Sequence, residues 1–147
     1  MPIDDSERER RLALLNTHFD AENDHDLGRI MGTFSSETEM LYNRQSFRDH
    51  SSIAQAHSYM GFAAAQGAFS GLRTLRDREH YTEDEVVVEG RLTGKHVGEF
   101  QGFVPTGREV ELPYVAFYHF DQSGKLVSER VVMNLGTLAH VPGWKPQ

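Results

Sequence analysis

The sequence predicts an α+β domain: a cone-shaped, curved antiparallel sheet wrapped around N-terminal helices, with a central cavity. Three observations carry this. Apolar residues recur at helical spacing through the first half, alternate at strand spacing from Leu72 onward, and are cut by turn chemistry into long segments. Helices followed by a run of strands place the helices on one face of a sheet, and a sheet that curls around them leaves a pocket at its wide end.

Ser6 and Glu9 have capping-box spacing and open the first helix, where Leu12, Leu15 and Phe19 cluster within about 60° on a helical wheel. His18 and Glu22, four apart, fall inside the apolar arc beside Leu14, Leu15 and Ala21, the most informative anomaly in the chain. A second short helix starts near Asp26, with Leu27, Ile30, Met31 and Phe34 at helical spacing. Residues 38–43 read as a short strand. Ser51 caps a third helix whose buried stripe is Ile53, Ala56, Met60 and Ala64, with His57 on that stripe and Gly67 and Gly71 ending it. Strand-like segments 73–81, 85–97, 109–120 and 125–134 follow, separated by turn residues such as Asp121-Gln122-Ser123-Gly124. In the third of these, Val110, Leu112, Tyr114, Ala116, Tyr118 and Phe120 share one face.

The 147 residues fit one domain over 1–147, without repeat or linker. Fifteen Lys+Arg against 22 Asp+Glu give a net charge of −7, which argues against a nucleic-acid partner. Apolar runs are too short to cross a membrane and the first residues lack signal-peptide character, so a cytoplasmic chain is expected. Without cysteine there is no thiolate nucleophile, and the eight histidines become the natural candidates for proton chemistry.

The stretch Leu92-Thr93-Gly94-Lys95-His96-Val97-Gly98-Glu99-Phe100-Gln101-Gly102-Phe103-Val104-Pro105-Thr106-Gly107-Arg108-Glu109-Val110 resembles the signature of SnoaL-like proteins, polyketide and ester cyclases of the nuclear-transport-factor-2-like superfamily. Phe120, Gly124, Lys125, Leu126, Val127, Ser128 and Glu129 fit a second block, and the segment His18 to Leu27 resembles a first-helix segment of the family. The resemblance implies a conical barrel, a homodimer through the outer sheet face, and a cavity holding a small-molecule ligand. It also implies acid/base cyclase, isomerase or dehydratase chemistry on a small, partly hydrophobic carbonyl compound, without metal or cofactor. The family's acidic residue aligns with Asn134, whose amide cannot take a proton at neutral pH. A non-catalytic binding or assembly module on the same fold is therefore the alternative.

The expected catalytic residues are His18, Glu22, His96 and Asn134. His18 polarised by Glu22 would act as acid/base, or Glu22 would instead pair with an arginine such as Arg91 or Arg130. His96, inside the signature, reads either as a proton-transfer group or as a structural histidine. Asn134 shares strand phase with Val132 and Arg130; facing inward, as the family implies, its amide would hold a substrate oxygen, and otherwise it makes a sheet-end hydrogen bond. Expected substrate-binding residues are His57, Tyr42, Tyr59, Arg130 and Val132, with Tyr114 and Tyr118 as further phenol donors or core aromatics. His57 reads equally as a core histidine. His25, His50 and His140 are expected to be solvated. The His-x-x-x-Glu pair supplies two metal ligands and spacing identifies no third, so no metal is expected.

Overall fold

The computed structural model describes residues 3–139; His140 lies outside them. The chain runs α1 (Asp5–Asn23), α2 (Leu27–Met31), β1 (Phe34–Tyr42), β2 (Gln45–Phe47), α3 (His50–Met60), β3 (Phe69–Tyr81), β4 (Glu85–His96), β5 (Glu109–Phe120) and β6 (Leu126–Met133), closed by a 3₁₀ turn at Gly136–Leu138. Strand β5 has the expected limits, and its alternate residues from Val110 to Phe120 are buried.

Several boundaries move, each for a local reason. Asp4 caps α1 in place of Ser6, accepting the Glu7 N–H at 2.8 Å. Asp49 caps α3 in place of Ser51, in a reciprocal box with Ser52; an ionised carboxylate at a helix N-terminus also meets the positive end of the helix dipole. That helix stops at Gly61, so Ala64 is exposed and outside the stripe. Gly61 has φ 129°, and a Cβ there would lie 2.3 Å from the Phe69 carbonyl oxygen, so the turn into β3 admits only glycine. Phe34 begins β1 and does not extend α2.

The six strands form one sheet in the order β2-β1-β6-β5-β4-β3. It is mixed and not wholly antiparallel as expected: β1 and β6 pair in parallel, for example Met40 with Glu129. The strands from β3 to β6 reverse by successive hairpins, and the last of them arrives beside β1 running the same way. Register shifts in the β1/β6, β3/β4 and β5/β6 pairings bend the sheet. Its concave face buries Val86, Val88, Leu112 and Ala116 with Leu15 and Phe19 of α1 and Ile53 and Met60 of α3. Each of these side chains except Ala116 contributes roughly 1.5–3 kcal/mol by leaving water.

Candidate functional site

His18 is fully buried on α1, with Phe19, Phe34, His57 and Tyr118 set edge-on around its ring at 5.6–6.1 Å between centroids. Its protonation is fixed by a short relay. The Thr33 hydroxyl donates to the Ile30 carbonyl at 2.6 Å, which leaves its oxygen to accept from His18 Nδ1–H at 2.8 Å. Nε2 is thereby turned inward, 3.2 Å from Glu22 Oε1 and 3.8 Å from Glu129 Oε2.

Both carboxylates are buried, at 3% and 1% exposure. Burial alone would strip the His18 imidazolium of its proton, but Glu22 and Glu129 outweigh it and hold the pKa up at about 10. Burial alone would likewise raise the Glu129 carboxyl. The His18 ring, with the neighbouring His57 ring and the Tyr118 phenol, keeps it below the usual carboxylate range. Glu22 thus pairs with His18; Arg91 pairs with Asp77 and Glu111, and Arg130 with Glu85.

His57, also fully buried, donates Nδ1–H to the Ile53 carbonyl one turn back at 2.9 Å, leaving its Nε2 without a hydrogen-bond partner. One ligand atom from each of His18, Glu22 and His57 lies within 4.8 Å of the others, so α3 supplies the third donor that spacing on α1 could not reveal.

Glu22 and Glu129 form part of the wall of a cavity completed by Phe19, Tyr42, Thr74, Leu92, Tyr114, Tyr118, Val131 and Met133. Its volume is about 10 Å³, room for roughly one water, so the expected hollow is largely filled by side chains. Burial, reinforced by the two carboxylates, raises the pKa of Tyr42 and Tyr118 well above the ordinary phenol value, and burial raises Tyr114 as well. All three remain protonated donors. Tyr114 shares a 2.8 Å hydrogen bond with the Thr74 hydroxyl. Gly90, paired with Tyr114 across the sheet, makes room for that ring, since a Cβ there would lie 2.6 Å from the phenol oxygen.

Other expected site residues lie elsewhere. Asn134, Val132 and Arg130 share a face as expected, but it is the outer one. Asn134 accepts the Gly136 N–H at 2.8 Å, a sheet-end role, and Val132 is 60% exposed. The cause is a register shift in the β5/β6 pairing, where His119 faces Ser128 but Phe120 faces Leu126; the bulge changes which alternate residues point inward. The inward set is Glu129, Val131 and Met133. Glu129 is the residue that sequence reasoning missed, and its signal was a carboxylate in phase with two apolar side chains.

Tyr59 is 42% exposed on the far side of α3, where its hydroxyl hydrogen-bonds Glu99 and receives the Gln101 N–H. His96 is buried but joins a different group: its ring stacks on Phe69 and its Nδ1 accepts the Thr106 N–H at 3.2 Å. Among the described residues no hydrogen bond or ion pair links it to His18. His50 is exposed as expected and hydrogen-bonds the Ser35 carbonyl, whereas His25, expected to be solvated, is half-buried against the Leu72 carbonyl.

A curved, mixed six-stranded sheet packed over helices is the nuclear-transport-factor-2-like class of fold, and it matches a structure of ketosteroid isomerase-like fold from Catenulispora acidiphila at TM-score 0.70. Within that class the model of the SnoaL-like polyketide cyclase family matches residues 14–140, and the chain belongs to that family. Among solved structures, a SnoaL-like polyketide cyclase from Jannaschia sp. CCS1 is similar at 20% identity and TM-score 0.75, covering 86% of this chain and 87% of its own. AclR from Streptomyces galilaeus, described as a hydroxylase, is similar at 26% identity and TM-score 0.70, covering 87% and 91%. The epoxide hydrolase/cyclase-like enzyme SalBIII of salinomycin pyran-ring formation is similar at 13% identity and TM-score 0.72, covering 88% and 95%. No curated protein matches the chain.

Proposed function

We propose that the chain is a cyclase- or isomerase-type enzyme that moves a proton on a small, partly hydrophobic carbonyl compound within the cone. The observation that carries this reading is His18 Nε2 set between Glu22 and Glu129, both carboxylates forming part of a cavity wall that also bears three phenols. A carboxylate would take the proton beside the carbonyl, His18 would balance its charge, and a phenol of Tyr42, Tyr114 or Tyr118 would donate to the enolate oxygen. The 10 Å³ interior means that the wall must open before a substrate enters, since ligand pockets usually run to roughly 300–1,000 Å³.

The test is exchange of α-protons for deuterium in D₂O across a panel of small ketones and β-keto esters, followed by proton NMR. The folded chain is expected to accelerate exchange of at least one compound, and Glu129→Gln or Glu22→Gln to remove roughly 10²–10⁴ of that acceleration. Exchange that survives both replacements would refute the reading.

The filled cavity favours a second reading, a non-catalytic module on the same fold. It predicts no exchange with any compound and a ligand or partner that still binds Glu129→Gln.

A further inference from the structure

We propose that His18, Glu22, His57 and Glu129 form a binding site for a divalent transition-metal ion, with zinc the best match to the donor set. This goes beyond the proton-transfer reading and does not rest on it. Buried polar atoms almost always have hydrogen-bond partners. Among the described residues His57 Nε2 is buried with no hydrogen-bond partner, and His18 Nε2 and Glu129 Oε2, which also lack one, face each other only as an ion pair at 3.8 Å.

The geometry around these atoms has the form of a ligand set. In both imidazoles the other ring nitrogen is already committed, Nδ1–H of His18 to Thr33 and that of His57 to the Ile53 carbonyl. Metal-ligating histidines are oriented by such a second hydrogen bond. Donors bound tetrahedrally at about 2.0–2.1 Å stand roughly 3.4 Å apart. His18 Nε2 lies 3.2 and 3.8 Å from the two carboxylates, and the His18, Glu22 and His57 donors all fall within 4.8 Å. The His18, Glu22 and His57 donors therefore need only side-chain adjustment to close around an ion, whereas Glu129, which faces His18 Nε2 at 3.8 Å but lies outside that group of three, would move further to join them.

Charge and size point the same way. One imidazolium balances one carboxylate, whereas a divalent cation balances two and takes the place of the proton on Nε2. The adjoining 10 Å³ has room for an ion or one water but not for an organic ligand. Two imidazoles with two carboxylates suit zinc, iron or cobalt; magnesium and calcium prefer all-oxygen shells.

The full chain, stripped with chelator, is titrated with Zn²⁺ by calorimetry, both as the native protein and after refolding with Zn²⁺ present. One ion per chain is expected, with Mg²⁺ failing to compete. His57→Phe and Glu129→Gln are each expected to weaken zinc binding more than about 100-fold. His80→Gln, at the exposed His80–Glu89 pair, controls for surface zinc and is expected to change nothing. Should an interior variant not fold, Co²⁺ decides on the wild-type chain, where visible bands of a four-coordinate ion are expected. The proposal is overturned if neither form takes up zinc, if His80→Gln abolishes uptake, if folded interior variants bind as tightly as wild type, or if Co²⁺ shows only its hydrated spectrum. α-Proton exchange that persists in chelator would leave the proton-transfer reading standing without the metal.

Discussion

Glu129 and Arg130 are neighbours in β6, yet they lie in different solvents. Glu129 points into the cone at 1% exposure and holds His18 among aromatic rings. Arg130 points outward and forks onto Glu85 at 2.8 and 3.0 Å, with almost half its side chain in water. The outer face repeats the pattern at Arg91 with Asp77 and Glu111. Both faces carry ion pairs, but water screens only the outer ones. A charge on the inner face must find a partner in the protein, and that obligation makes the inner face the chemical one.

The sharpest way to break this contrast is His18→Leu, which leaves Glu22 and Glu129 facing each other without a cation. A loss of about 3–5 kcal/mol is expected in urea unfolding, as when one partner of a buried pair is removed. Gly90→Ala comes next. The added methyl meets the Tyr114 phenol and the Leu75 carbonyl oxygen at 2.6 and 2.5 Å, so overpacking by about 1–3 kcal/mol is expected in the same measurement. On the outer face Arg130→Ala is expected to cost no more than about 1 kcal/mol, with most of the difference removed by salt. Smallest of all is Asn134→Asp, which puts a carboxylate where the side chain is exposed. It keeps the acceptor for the Gly136 N–H, and stability is expected within about 0.5 kcal/mol of wild type. If that change instead raised α-proton exchange, the inner and outer faces would not divide the chemistry as drawn.

The same contrast explains what could be read in advance. The His18/Glu22 pair was legible because four-residue spacing on a helix dictates a shared face, whatever the rest of the chain does. The β5 face was legible for the matching reason in strands. Glu129 was not, because one bulge near Val127 inverts strand phase and moves Arg130, Val132 and Asn134 outward. Nor was the parallel pairing of β1 with β6, since alternation tells which side of a strand is buried and not which strand lies beside it.

Local order in this protein was therefore written in the sequence: the helical first half, the strand-rich second half, the buried imidazole–carboxylate pair and the family signature all depend on neighbours a few residues apart. Tertiary structure alone decided that His57 from α3 and Glu129 from β6 close around that pair, and that the interior left to them is about 10 Å³. Those features depend on sheet register and on how helices fill a curved sheet, sums of many weak packing terms across distant segments that no local spacing encodes.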